Sequence, residues 1–292
     1  MQINKVKSSN SSYNFALSQI FSPALLKKIH SPSDEQTFKD LLDCCNLYPL
    51  NEDWCLVKGL EITYNYLKEN YRCEYVYKNE IANQILLKFH SDNSATLLKE
   101  VASCSSIADI VIINGNTVAY EIKTELDSFE RLPSQIESYR MLYDYLYIVT
   151  HPKAVKTLST KIDDGIGIMV LDTDGILKIV QEATLNKDMF NPINAVLTLR
   201  QSELVKAYEK YAGKMPVMGT GLVYNFCYKW YINLDKYDAQ KIFSESLKFR
   251  KPSVHQFELI KKCNPALKMM FLGNEISKKT CITTINKLCT FD

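Results

Sequence analysis

The chain has 292 residues, 46% of them hydrophobic and 23% charged, with a formal net charge of +2; this is the profile of a folded protein with one or two cores and not of a disordered or fibrous chain. No run of about 18 apolar residues occurs, and "MQINKVKSSNSSYNFALSQIF" lacks the continuous apolar stretch and small-residue cleavage site of a secretory leader, so neither insertion nor export is expected and the cytoplasm is the expected compartment. Charge is uneven: residues 1–199 hold 19 Lys/Arg against 25 Asp/Glu, whereas 200–292 hold 16 against 8, so the last third is basic, which suits a solvated helical surface and an anionic partner equally.

The nine cysteines form no C-x-x-C pair and the four histidines no H-E-x-x-H, so zinc is not indicated and most cysteines are expected to be small buried thiols. Only His151, just after an expected strand, draws attention.

Residues 1–72 carry apolar positions at helical spacing in "ALLKKI", "FKDLLDCCNLY" and "GLEITYNYLKENY", and predict a helical N-terminal region. "YVYKNEIANQILLKFH" extends this as a helix over 75–90, with Ile81, Ile85, Leu86 and Phe89 as its apolar stripe and Glu80 beside it. From 95 to 180 the pattern predicts strands "TLLKEVASC", "ADIVII" and "TVAYEIK", a helix "LPSQIESYRMLY" with Pro133 in its first turn, a buried strand "YLYIVT", a helix "PKAVKTLSTKI", and strands "GIMVLD" and "ILKIVQE" joined at Thr173-Asp174-Gly175. That order predicts an α/β fold with a mixed central sheet flanked by helices. After about 185 helices return: "AVLTLRQSELVKAYEKY", "AQKIFSESLKF", "VHQFELIKKC", "PALKMMFLG" and "SKKTCITTINKL", with "GKMPVMGTGLVYN" (213–225) as a loop whose glycines fit no phosphate-cradle motif. The division expected from these patterns is 1–72 helical, 73–183 an α/β core, and 184–292 helical and basic.

The stretch "SIADIVIINGNTVAYEIKTELD" reads as a β-hairpin around Asn114-Gly115-Asn116. A three-residue turn makes paired residue numbers sum to 230, sets Asp109 opposite Glu121 with β-carbons roughly 5 Å apart, and leaves Lys123 one step further along the same face. A two-residue turn throws the carboxylates onto opposite faces unless a bulge restores the phase. Facing carboxylates repel unless a cation lies between them, and hard oxygen donors without imidazole or thiolate point to Mg²⁺ or Mn²⁺. An ordinary salt bridge among Asp109, Glu121 and Lys123 is the plain alternative. Downstream, Gln135 and Tyr139 share a helix face at i, i+4, although amphipathic packing explains Tyr139 as well. Glu100 on the preceding strand is a further candidate for the metal shell. Glu125, Asp127 and Arg131 suit capping and surface pairing. "YNFCYKWY" (224–231) suits helical packing, with base stacking as the alternative.

The set Glu80, Asp109, Glu121-Ile122-Lys123 and Gln135-x-x-x-Tyr139 resembles the PD-(D/E)XK nuclease superfamily, with its restriction-endonuclease-like core, and the Gln-x-x-x-Tyr addition is similar to the RecB-like and Cas4-like branch. Residues 75–180 also resemble a bacterial protein family placed in that superfamily. The resemblance implies that Asp109, Glu121 and the backbone carbonyl of Ile122 bind Mg²⁺ or Mn²⁺ and that Glu80 completes the shell directly or through water. It further implies that Lys123 is the catalytic lysine and that Gln135 and Tyr139 support the site. Two departures stand out: Ala108 occupies the place of the motif's proline, and Ile107 stands where the closer family has a basic residue. The implied activity is metal-assisted hydrolysis of phosphodiester bonds in nucleic acid, DNA ahead of RNA, in defence against foreign DNA. No membrane partner is expected, and the helical flanks would serve a protein partner or a homodimer. Two rival readings are a catalytically weak nucleic-acid-binding module with the same fold, and a protein-interaction or inhibitor protein.

Overall fold

The computed structural model describes residues 11–22, 32–47, 55–87, 94–186, 188–273 and 275–288. In chain order it contains α1 (Ser11–Gln19), α2 (Pro32–Cys44), α3 (Leu56–Asn70), α4 (Glu74–Ile81), a π-helical turn (Ala82–Leu87), β1 (Thr96–Ser103), β2 (Ser106–Asn114) and β3 (Asn116–Ile122). There follow α5 (Leu132–Arg140), β4 (Tyr145–Thr150), α6 (Val155–Leu158), β5 (Gly167–Leu171), β6 (Leu177–Gln181), α7 (Pro192–Thr198), α8 (Gln201–Tyr211), α9 (Thr220–Ile232) and α10 (Lys236–Lys248). The chain closes with α11 (Val254–Lys262), α12 (Lys268–Phe271) and α13 (Lys278–Leu288). No described helix is long and apolar enough to cross a membrane.

The six strands form one mixed sheet, as the alternation of patterns predicts, and within it they lie in sequence order. β1, β2 and β3 are antiparallel neighbours, the crossovers through α5 and α6 make β3–β4 and β4–β5 parallel, and β6 returns antiparallel. The β2–β3 register is the odd one: Ile110 pairs with Tyr120 and Ile113 with Thr117, the turn being made at Gly115 with φ 78°. A positive φ carries no steric penalty for glycine.

By contact density the described residues fall into two units, one formed up to Asn83 together with the segment from Pro252 onward, the other from Gln84 to Lys251. The linear division at 72/73 and 183/184 follows composition; this division follows contacts. In the second unit one sheet face, through Val111, Ile113, Ala119, Ile148 and Ile168, packs against Ile136, Tyr139 and Tyr143 and against Val196, Leu204, Phe243 and Leu247 of the later helices. Each such fully buried apolar side chain contributes about 1.5–3 kcal/mol. In the first unit the ring of Phe21 stacks on Tyr75 at 4.5 Å and meets Tyr64 edge-on at 5.9 Å.

Several local expectations are corrected. The expected helix over 75–90 is α-helical only to Ile81, then widens into the π turn, which changes the phase of the side chains after it; Phe89 lies outside the described residues. "AVLTLRQSELVKAYEKY" is two helices, because Arg200 starts a new one, its backbone N–H donating to the Glu203 carboxylate at 2.8 Å. The expected loop 213–225 is helical from Thr220. Of the eight cysteines described, Cys227, Cys263 and Cys281 are buried, whereas Cys44 and Cys104 are exposed; Cys289 lies outside the described residues.

Candidate active site in the second unit

Asp109, Glu121 and Lys123 belong to the place where the β2–β3 ladder ends. Paired backbone contacts run from Asn114–Asn116 to Ile110–Tyr120 and go no further. Beyond that pair β3 is held by β4: Lys123 N–H donates to the Val149 carbonyl at 2.9 Å, and the Thr150 hydroxyl donates to the Lys123 carbonyl at 2.7 Å. On the β2 side the Asp109 carboxylate takes over, Oδ2 accepting from Ile122 N–H at 2.7 Å. Ile122, whose carbonyl the resemblance assigns to the metal, therefore has its N–H committed to Asp109.

The β1–β2 ladder skips the same level. Lys99 pairs with Ile110 and Val101 with Ala108, while Glu100 and Asp109 between them form no ladder pair and Glu100 has φ 53°. Strand phase changes there. Leu98 and Val111 belong to the core on one side of this level, and Val101 and Ala108 to the same core on the other. A perfect two-residue alternation does not allow that spacing. Ile107, beyond the missing rung, is 58% exposed.

Glu121 is 2% exposed and Lys123 5%. Glu121 Oε1 accepts from Lys123 Nζ at 2.8 Å and from Gln135 Nε2 at 2.6 Å, and Oε2 lies 2.7 Å from the Tyr139 hydroxyl. Lys123 Nζ also donates to Gln135 Oε1 at 2.9 Å, so the amide of Gln135 bridges the ion pair. The Tyr139 hydroxyl lies 2.7 Å from the Ile107 carbonyl as well, and its single hydrogen thus has two acceptors. Burial, then the charges of Glu121 and Asp109, hold this phenol far above its usual range. Gln135 and Tyr139 reach the strand because α5 starts at Leu132 with Pro133 in its first turn and buries Leu132 and Ile136 against the sheet, which leaves the 135/139 edge over the end of β3.

Glu80 lies in the first unit, where Oε1 accepts from the Tyr64 hydroxyl at 2.7 Å and from Lys68 Nζ at 2.8 Å. Asp127 Oδ2 closes a turn on the N–H and hydroxyl of Thr124, the local pairing expected of it. His151 is the residue preceding a 3-10 turn and makes no side-chain cap bond. The aromatic run of α9 packs on the helical core, Phe226 and Trp230 meeting Tyr208 edge-on.

Sequence reasoning missed the Thr150 hydroxyl and the Ile107 carbonyl as supports. A buried threonine closing the apolar run "YLYIVT" was an available signal for the first; a backbone carbonyl leaves none.

Known proteins resemble this chain in part. Protein cII of Enterobacteria phage P4 is 30% identical over 107 residues, which make up 34% of this chain and 40% of that protein, so the match spans well under half of the relative's length. The solved SPO1766 protein of unknown function from Silicibacter pomeroyi aligns at 12% identity with a TM-score of 0.30, covering 46% of this chain and 89% of that one. The family model for Bacteriophage P4 protein cII matches residues 67–288, which is most of the chain, and the chain belongs to that family.

Proposed function

We propose that the chain is a metal-dependent nuclease of PD-(D/E)XK type, with a restriction-endonuclease-like core, that hydrolyses phosphodiester bonds of DNA in the cytoplasm and serves defence against foreign DNA. The observation that carries this reading is the buried Glu121 carboxylate, held at once by Lys123, Gln135 and Tyr139, with Asp109 at the same level of the sheet. A salt bridge needs only one cation. Here an amide and a phenol also fix the carboxylate's orientation, which is the kind of support that a reacting or ligating group requires.

The donor chemistry fits a hard divalent ion. Mg²⁺ commonly takes one or two carboxylates and keeps several waters, so two strand carboxylates suffice although no group of three or more Asp, Glu, His or Cys ligands is gathered among the described residues. Asp109, less buried than Glu121, leaves room for that hydration. Asp109 and Glu121 would hold Mg²⁺ or Mn²⁺, which when bound supplies Lewis-acid stabilisation of charge building on the phosphoryl oxygens.

The chain's own groups have separate tasks. Lys123, fixed between Glu121 and Gln135, holds a positive charge at the mouth of the carboxylate pair, where it stabilises the developing negative charge of an attacked phosphate. Gln135 sets the angle of both partners. Tyr139 keeps its proton and therefore acts as a hydrogen-bond donor, not as a base. Thr150 anchors Lys123 from β4 through its backbone carbonyl.

The test is incubation of linear, circular and single-stranded DNA with Mn²⁺ or chelator. The expected result is cleavage that chelator abolishes and that Lys123→Ala lowers by about 10²–10³-fold, the usual cost of removing one preorganised electrostatic group. Cleavage by Lys123→Ala at the wild-type rate refutes the assignment.

A further inference from the structure

His151 is the only described histidine of the second unit, and the cluster around Glu121 makes no use of it. It follows β4 at the end of the sheet where Glu121 and Lys123 close β3. The two strands are parallel, Glu121 pairing with Ile148 and Ile122 with Val149. The pairing runs on through the Lys123 N–H on the Val149 carbonyl and the Thr150 hydroxyl on the Lys123 carbonyl. Thr150 therefore lies level with Lys123, and His151 stands one residue beyond it on a strand about 4.8 Å away. In α/β sheets this carboxyl end of parallel strands is where ligands bind. The backbone of His151 is extended, with φ −102° and ψ 158°, so the alternation of side chains continues through it. Ile148 shares the core under α5 with Ala119, on the face where Lys123 meets Gln135. Tyr147 stacks on Tyr120 at 5.7 Å on the other face, and His151 falls with Tyr147. Lys123 and His151 thus flank the end of the sheet from opposite faces. His151 is half-buried, and its imidazole makes no hydrogen bond, ion pair or ring contact with another described residue, so both ring nitrogens are available.

We infer that His151 is a further catalytic residue, the general acid that protonates the leaving oxygen in the phosphodiester hydrolysis proposed above; the inference rests on that reading and fills a step it leaves open. In-line displacement sets the attacking and leaving oxygens on opposite sides of the phosphorus. A bond forms from the water oxygen to phosphorus, and the bond from phosphorus to a sugar oxygen breaks. The water gives its proton to solvent, while the sugar oxygen leaves with the bonding pair and needs a proton of its own. The cluster on the α5 face has none to give: Lys123 Nζ is committed to Glu121 and Gln135, and Tyr139 holds its hydrogen between Glu121 and the Ile107 carbonyl. The donor therefore has to stand across the strand end from that cluster, which is the place of His151. Imidazole is the side chain that gives up and regains a proton near neutral pH, and solvent restores the proton after each turnover.

The test compares two leaving atoms, using the full chain with Mn²⁺. The cleaved linkage, and the end that keeps the phosphate, are mapped on an ordinary DNA strand. The strand is then made with sulfur in place of the leaving oxygen, because a thiolate departs without a proton. H151A is expected to lower kcat on the oxygen strand by about 10²-fold, the lower end of what a positioned acid supplies, with KM unchanged. On the sulfur strand it should stay within about 3-fold of wild type, since no proton is called for there. H151Q, which forms hydrogen bonds but transfers no proton, should behave as H151A does. Both variants should bind the strand in chelator as wild type does, which loss of a phosphate anchor would not allow. Equal losses on the two strands, a wild-type rate of H151A on the oxygen strand, or weakened DNA binding with kcat unchanged each overturns the inference. Lys123→Ala should slow both strands, since its charge serves the phosphoryl oxygens and not the leaving atom; that pattern beside a fully active H151A removes the acid and leaves the hydrolytic reading standing. Failure of wild type to cleave either strand removes the reading itself, and the role of His151 with it.

Discussion

Replacing Lys123 by methionine tests the site without any substrate. Lys123 is 5% exposed and its ammonium bonds to Glu121 and Gln135. Its removal leaves the carboxylate, 2% exposed, without a compensating charge. Breaking a buried pair from one side costs about 3–5 kcal/mol. The bonds from Gln135 and Tyr139 to Glu121 remain, and hydrogen bonds to a charged group are worth about 1.5–3 kcal/mol each, so the expected loss lies towards the lower end, about 3 kcal/mol. At roughly 2–4 °C per kcal/mol for a unit of this size, the melting temperature falls by about 6–12 °C. Glu121→Gln in the same chain removes the stranded charge, so the double variant should recover most of the loss and give a coupling above about 2 kcal/mol in a double-mutant cycle. A metal arm separates salt bridge from ligand site. If Asp109 and Glu121 hold Mg²⁺ with a dissociation constant near 1 mM, then 10 mM Mg²⁺ stabilises wild type by about 1.4 kcal/mol and Glu121→Gln by far less. Calorimetric melts with and without Mg²⁺ provide the readout. Additive single variants, with coupling under about 0.5 kcal/mol, would refute the buried cluster, and equal Mg²⁺ shifts in wild type and Glu121→Gln would refute the ligand site.

Gly167 sits under the Tyr147 ring, so that an added β-carbon would lie 2.2 Å from Tyr147 Cδ1 and 3.0 Å from Ala183 N; because Tyr147 is stacked on Tyr120 and bonded to Glu182, Gly167→Ala should cost about 1–3 kcal/mol in urea melts, and a cost that persists undiminished in Tyr147→Ala would show that the ring is not the obstacle. Burial raises the phenols of Tyr64, Tyr75, Tyr120, Tyr139, Tyr143 and Tyr231. The unfolded chain therefore releases these protons first above about pH 10, so their stabilisation is complete below that pH and is lost as pH rises towards the folded values, each phenol steepening the loss by about 1.4 kcal/mol per pH unit. Tyrosinate absorbance should rise together with loss of circular dichroism in alkali, and smooth titration of every tyrosine in a still-folded chain would contradict it.

The parts of the site that could be read from the sequence are those set by short spacings. Asn114-Gly115-Asn116 dictates an odd register once Gly115 takes its positive φ, and Glu121 with Lys123, or Gln135 with Tyr139, share a face by the period of their own element. Period arguments fail where the period is interrupted. The π turn after Ile81 displaces the stripe that a regular helix would carry to residue 90, and the glycines at 219 and 221 conceal a helix already begun at Thr220. Long-range partners leave still less trace: Arg250 grips Glu203 by two bonds of 2.7 Å, and Gln240 reaches Asp144 at 2.6 Å, pairings that no local pattern encodes.

The missing rung at Glu100 and Asp109 and the burial of charge at Glu121 are one feature of the fold. A regular ladder offers no vacant backbone donor for a carboxylate, since its N–H groups are already paired. At the level of Asp109 neither the β1–β2 nor the β2–β3 ladder forms a rung, which frees the N–H of Ile122 for Oδ2 and lets β3 continue alone against β4. Holding Glu100 in the left-handed region costs about 1–2 kcal/mol, a strain that the pairs on either side, Lys99–Ile110 and Val101–Ala108, impose together. The sheet thus gives up regularity at one level, and at that level the interior of an otherwise apolar sheet can hold two acids and a lysine.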